Sequence, residues 1–477
     1  MEEALATLDG IAQAELVRQG QLSPRELVDA AIARCEKLNP ILNAVITSLF
    51  DEARAAAASP TLPAGPFRGV PLLLKDIGAM QVGQPYYMGN RALRDARYIA
   101  PVDTPLGARF RRAGFVTLGK TNTPELGMQS TTQPLAFGAT HNPWDLARSP
   151  SGSSGGAAAA VAAGLVPIAH ANDGGGSIRL PSAWCGLVGL KPSRGRVPFG
   201  RLPLDWNVCE LVVSRTVRDV AAVLDAVHGD EPGEFFLAPP PARRYTSEVG
   251  ANPGRLRIGI LTYMSGVEVH PECLTGTETV GKLLESLGHV VEPAWPEALM
   301  DEGRGVRTGV LGWMGFRLVL RGLSKLLGRP VEQDDVEPYL WSLARLDLPS
   351  ASVEDFLEAV GWQQDWRWRV TQWWASGFDL LLTPTVCEPP ATLAEMTPPP
   401  DKPWKLLKRI LPHAAFTQPF NITGQPAISL LLHWTPEGLP VGIQLVAAMG
   451  REDLLLQIAA QLEEARPWKD RYPSVHA

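Results

Sequence analysis

Residues 149–181 read SPSGSSGGAAAAVAAGLVPIAHANDGGGSIRLP. Four pieces with different physics follow one another in that stretch. Ser149 to Gly156 is a glycine-serine loop, and the alanine-rich run from Gly156 to Gly164 is a strong helix former. Leu165 to Ala169 has the length and apolar character of a buried strand, and Asp173 to Pro181 opens on three consecutive glycines. The same alternation extends outward from about Gly69 to Gly229, with apolar runs Val70 to Leu74 and Phe115 to Leu118 and a helix opened by Thr104 and Pro105. Strands that alternate with helices specify an α/β fold.

Toward the N-terminus the pattern is helical over about residues 1–65. Ser23, Pro24 and Glu26 supply an N-cap, a first-turn proline and a capping-box glutamate. Toward the C-terminus, Pro239, Pro240 and Pro241 break the pattern before a strand from Leu256 to Leu261 and a helix around Thr275 to Leu287. Residues from about 300 to 376 carry no strand signal and hold half of the 14 tryptophans, which predicts a helical insertion or lid. Strands then return at Phe378 to Leu382, Ala427 to Leu432 and Val441 to Val446, followed by a helix from Glu452 to about Ala465. The expected organisation is one domain over 1–477 with a discontinuous core and no internal repeat.

Composition narrows the partners. With 44 Lys+Arg against 50 Asp+Glu the chain is mildly acidic, which argues against direct nucleic-acid binding. Five cysteines, Cys35, Cys185, Cys209, Cys273 and Cys387, are widely spaced and form no CxxC, so neither a disulfide framework nor a metal site is encoded. The start Met1-Glu2-Glu3 is acidic where a secretory signal is basic, and no apolar run reaches the ~18 residues of a membrane span. A cytoplasmic protein without stable membrane insertion is expected.

Two features carry chemistry. Glycines at 174, 175 and 176 directly before Ser177 permit backbone angles closed to other residues, so successive N–H groups can converge on one point as an oxyanion hole requires. None of the eight histidines sits in a hydrolase motif. Lys75, however, closes the apolar run Gly69-Val70-Pro71-Leu72-Leu73-Leu74. A lysine acts as a base only when neutral, which requires burial to lower its pKa by about three units.

Together these residues resemble the amidase signature family. The likeness runs through GVPLLLKDI at 69–77, GKTNTPELG at 119–127, HNPWD at 141–145, SGSSGGAAAAVAAG at 151–164, DGGGSIRLP at 173–181 and GLVGLKPSRGRVP at 186–198. It continues through FDLLLTPT at 378–385, PFNITGQPAISL at 419–430 and GLPVGIQLV at 438–446. The resemblance implies a single large mixed β-sheet flanked by helices. It assigns the nucleophile to Ser177, a bridging serine after a cis peptide bond to Ser153, the base to Lys75 and oxyanion donors to Gly174, Gly175 and Gly176. Asp173 and Arg179 match positions that brace the nucleophile loop. The implied activity is hydrolysis of a small-molecule amide without metal or organic cofactor, with a homodimer left open. Two departures stand out. Ser151 replaces a glycine, and Gly174 replaces the threonine of many members, a version similar to the branch of aryl acylamidases and 6-aminohexanoate cyclic dimer hydrolases.

Three other signals compete. Gly114 to Thr121 fits the Walker A pattern, yet Phe115-Val116-Thr117-Leu118 belongs in a strand and Pro124 disfavours an immediate helix. Trp362, Trp366 and Trp373 share one helical face, which reads as a core stripe; the tryptophan-rich insertion as a whole suggests a pocket for bulky, apolar, uncharged amides. The basic segment Lys402 to Leu411 reads as a solvated lid helix before it reads as a membrane-surface helix. The rival function is the glutaminase-type subunit of a transfer-RNA-dependent amidotransferase, which shares the triad but requires a partner subunit.

Overall fold

The computed structural model describes residues 2–200, 207–301, 304–345 and 352–477. Its strands are β1 (Val45–Ser48), β2 (Pro71–Lys75), β3 (Val116–Thr121), β4 (Ile168–Asp173), β5 (Val188–Lys191), β6 (Cys209–Ser214), β7 (Arg257–Ile260), β8 (Val290–Pro293), β9 (Leu380–Pro384), β10 (Ala427–Trp434) and β11 (Pro440–Ala447). They form one 11-stranded sheet in the order β1-β3-β2-β4-β6-β5-β10-β11-β9-β7-β8. The sheet is mixed. β3, β2 and β4 run parallel, the run from β4 through β6, β5, β10 and β11 to β9 is antiparallel throughout, and β9, β7 and β8 are parallel again.

The central strands are buried on both faces, which explains why PLLLK and LLLTP read as continuous apolar runs instead of alternating ones. Every residue of the helix Gly155–Ala162 is buried, and its small side chains let it lie close against β4 and β2. That close seat fixes the loop in front of it, residues 149–154.

Several boundaries differ from the sequence reading. The strand expected at Leu165 to Ala169 begins at Ile168 and runs on to Asp173, so it carries polar residues to its C-terminal end. The N-terminal region contains strand β1, antiparallel to β3, beside its helices; a four-residue strand between two helices leaves little periodicity to read. The capping box at Ser23 and Glu26 is present. In the described part of 300–376 lie the helices Arg304–Leu327, Pro338–Ala344 and Val353–Ala375.

The tryptophan stripe is core. Trp366 and Trp374 are buried with Leu261, Met264, Phe416 and Phe420, and Trp362 and Trp373 pack against the same cluster. The apparent Walker A lysine, Lys120, is buried inside β3, so its stretch is a strand and no phosphate cradle. In the basic segment, Leu406 and Ile410 pack beside Trp184 and Met396, which spends its apolar face inside the protein. Among the described residues no helix is long and apolar enough to cross a membrane.

Candidate active site

Lys75 is the last residue of β2 and is fully buried. Its Nζ lies within hydrogen-bonding distance of Ser153 Oγ at 2.7 Å, Ser154 Oγ at 2.8 Å and Asn172 Oδ1 at 2.6 Å. Burial drives the amine toward its neutral form against the opposing charges of Glu210 and Asp173, and brings its pKa from the usual lysine range to about 7. A lysine in that state can take up a proton at neutral pH.

Ser153 lies in the loop that leads into the helix Gly155–Ala162, and the peptide bond between Gly152 and Ser153 is cis. The loop is pinned from outside. Thr132 Oγ1 donates to the Ser151 carbonyl at 2.9 Å, and Ser149 Oγ accepts from the Ser151 N–H at 3.0 Å. Ser151, which replaces a glycine, adopts φ 67°, the left-handed region glycine enters without penalty.

The glycine run follows β4 directly. Gly176 has φ 144°, and a Cβ there would stand 2.5 Å from Thr417 Oγ1. No atom lies within 4 Å of the corresponding position at Gly175, so this side of the run faces open space. Ser177 ends the run half-buried and stands outside the hydrogen-bonded Lys75–Ser153 pair. Asp173 and Arg179 flank the run as a fully buried pair, with Arg179 Nε and Nη2 each 2.9 Å from a carboxylate oxygen. Burial alone would raise the Asp173 pKa, but the Arg179 guanidinium and the Asn421 amide hold it at about 2. Arg179 also donates to Gln444 Oε1 at 2.8 Å and Asn421 Oδ1 at 2.6 Å.

Several residues of this site escape a reading of motifs. Ser154, His170, Asn172, Glu210, Thr417, Asn421 and Gln444 all touch the central groups or their supports. Two left a signal. His170 and Asn172 are polar residues two apart in an apolar strand, and Glu210 is a lone carboxylate in CELVVS. Asn421 and Gln444 lie within the quoted segments 419–430 and 438–446, and Thr417 is brought in by tertiary folding alone.

Among the described residues Cys387, Glu388 and His413 place ligand atoms within 4.8 Å of one another, where Glu388 is paired with Arg409 and hydrogen-bonded to His413 Nε2.

The sheet, the buried lysine and the two serine-bearing loops define a hydrolase of the amidase signature class, and the sequence profile of the family described as Amidase matches residues 26–456. The chain belongs to that family and is an amidase. It is 43% identical over 98% of its length, and 96% of the relative's, to the 6-aminohexanoate-cyclic-dimer hydrolase of Paenarthrobacter ureafaciens. A solved structure of 6-aminohexanoate cyclic dimer hydrolase complexed with substrate superposes with a TM-score of 0.94 at 42% identity, covering 99% of this chain and 100% of that one. A bacterial aryl acylamidase of the same family superposes with a TM-score of 0.87 at 29% identity over 98% of this chain and 99% of that one.

Proposed function

We propose that the protein hydrolyses an uncharged amide, cyclic or bulky, through an acyl-enzyme on Ser177. Neutral Lys75 takes the proton of Ser153 as Ser153 takes that of Ser177. The Ser177 oxygen attacks the carbonyl carbon, and the C=O electron pair moves to the oxygen, which receives N–H groups of the run Gly174 to Ser177. Collapse breaks the C–N bond, and the leaving nitrogen takes its proton back through Ser153 from Lys75. Water then adds to the acyl group along the same proton path in reverse order and frees Ser177. Asp173 and Arg179 hold the ends of the glycine run so that its N–H groups are aimed before substrate arrives.

The observation that carries this reading is the buried Lys75 Nζ, 2.7 Å from Ser153 Oγ with its pKa near 7. It gives kcat/KM that rises with pH through about 7. The similarity to the cyclic dimer hydrolase favours a cyclic or bulky amide over glutamine. The direct test compares kcat/KM for 6-aminohexanoate cyclic dimer, an aryl anilide, acetamide and glutamine, with fluorophosphonate labelling of the wild type and Ser177→Ala. Labelling that persists without Ser177 would remove the assignment of the nucleophile. A preference for glutamine would put the amidotransferase-subunit reading first.

A further inference from the structure

Behind Lys75 the hydrogen bonds close into a ring. The Lys75 backbone N–H donates to His170 Nδ1 at 3.2 Å, which leaves the His170 proton on Nε2, where it is donated to Glu210 Oε2. The other carboxylate oxygen, Glu210 Oε1, accepts from Asn172 Nδ2 at 3.3 Å, and Asn172 Oδ1 accepts from Lys75 Nζ at 2.6 Å. Sheet register builds the ring. His170 and Asn172 are two apart on β4 and share a face, and Asn172 lies directly opposite Glu210 on β6. The fit is tight, because a Cβ at Gly78 would stand 2.5 Å from Glu210 Oε1 and 2.7 Å from Asn172 Nδ2.

The ring also fixes which way the Asn172 amide points. Its nitrogen faces two groups that only accept, the Glu210 carboxylate and the Ile77 carbonyl at 3.2 Å. Its oxygen therefore faces Lys75. A proton inventory follows for the neutral amine, which has two N–H groups and one lone pair. Asn172 Oδ1 must receive one N–H. Ser154 Oγ has given its own proton to the Asn172 carbonyl at 3.2 Å, so it receives the other. The lone pair is left for the third neighbour, Ser153.

We propose that Asn172, oriented by Glu210 and His170, is a positioning residue that turns the lone pair of Lys75 toward Ser153, and that Glu210 sets the charge state of that amine. The inference rests on Lys75 as the base. The charged and titratable groups around the amine are Glu210 on β6, Asp173 and His170 on β4, and Tyr86, whose hydroxyl accepts from the Gly78 N–H at 3.1 Å beside Glu210. Of these, the Glu210 carboxylate is the largest influence favouring the ammonium form.

Two variants test it, with the Lys75 amine followed directly by side-chain NMR titration and assigned by loss of its signal in Lys75→Met. Glu210→Gln removes the charge at constant shape, so the Lys75 midpoint should fall by about one pH unit, and the acid limb of kcat/KM should move down with it. Asn172→Ala removes the orienting acceptor, so kcat on the plateau should fall about 100-fold with KM within about threefold. A Lys75 midpoint unmoved in folded Glu210→Gln, or a plateau kcat unchanged in Asn172→Ala, would overturn the inference. A midpoint that moves while the kcat/KM limb stays would uphold the ring's hold on Lys75 and instead remove Lys75 as the base.

Discussion

The hydroxyl of Thr417 donates to the carbonyl oxygen of Gly175 at 2.6 Å. That carbonyl shares a rigid peptide plane with the N–H of Gly176, so holding the oxygen aims the hydrogen in the opposite direction. Thr417→Val keeps the side-chain shape and deletes the donor. The expected result is a kcat lowered about 10–100-fold, less than the ~10²–10³ of losing an oxyanion donor outright, with little change in KM. Steady-state kinetics on a variant of unchanged melting temperature checks this, and an unaltered kcat would leave the bond a purely structural role.

Lys75 also makes stability depend on pH. Its folded-state pKa of about 7 lies below the ordinary lysine value of 10.5, so between these values the unfolded chain binds the extra proton. Burying the amine therefore penalises folding fully below about pH 7, and the penalty fades as pH rises toward 10.5. Relative to Lys75→Met, which has no activity in this reading, the wild type should gain stability as pH is raised from 7 to 9. Denaturant midpoints of both proteins at the two pH values give the comparison, and parallel midpoints would contradict the buried titration.

A buried acid pair has the opposite sign. Glu125 Oε2 accepts from the Glu337 backbone N–H at 2.7 Å, and Glu337 Oε1 accepts from the Leu135 N–H at 2.7 Å, which ties the segment before the helix Pro338–Ala344 to the loop after β3. Burial raises both carboxyl pKa values, and the Glu337 charge raises Glu125 further. The folded state thus holds protons that the unfolded state releases above the ordinary glutamate value of 4.5, and stability falls as pH rises through neutrality. Glu337→Gln should be more stable than the wild type at pH 8, with the gap closing toward pH 5. Thermal denaturation at both pH values measures it, and a gap independent of pH would dismiss the pair as the source.

Trp366 is fully buried, stacks on Trp362 at a centroid distance of 5.9 Å and donates from Nε1 to the Ala298 carbonyl at 2.7 Å. Trp366→Ala should cost about 3–5 kcal/mol of stability through the cavity it leaves. Activity per folded molecule and the ranking of substrates should remain. A changed substrate ranking would place this tryptophan against the substrate after all.

The sequence carried the site unevenly. Lys75, Ser153 and Ser177 sit in segments whose composition is unusual in itself, a lysine closing an apolar strand and two glycine-serine turns around a helix of alanines. The sheet was legible for the same reason, since long apolar runs such as PLLLK have few other places to go. What stayed hidden depends on register. Glu210 matters because it lies opposite Asn172 across a strand pair, and nothing local to CELVVS names that partner. The tryptophan stripe was legible from its helical spacing. Trp366 and Trp374 turn inward and fill the space between the insertion and the sheet, as an apolar face at that spacing requires.

The ties from Arg179 to Asn421 and Gln444 bear on how the enzyme is made. A growing chain that has left the ribosome as far as Arg179 already contains Lys75, Ser153 and Ser177, but the partners of Arg179 are still untranslated. β4 has by then neither β6 to pair with nor the distant β10 and β11 that complete the middle of the sheet. Contacts closed over such long stretches form late, because the entropy of loop closure must be met before they contribute. The nascent chain thus carries Lys75, Ser153 and Ser177 through most of its synthesis before Asn421 and Gln444 can tie Arg179 in place.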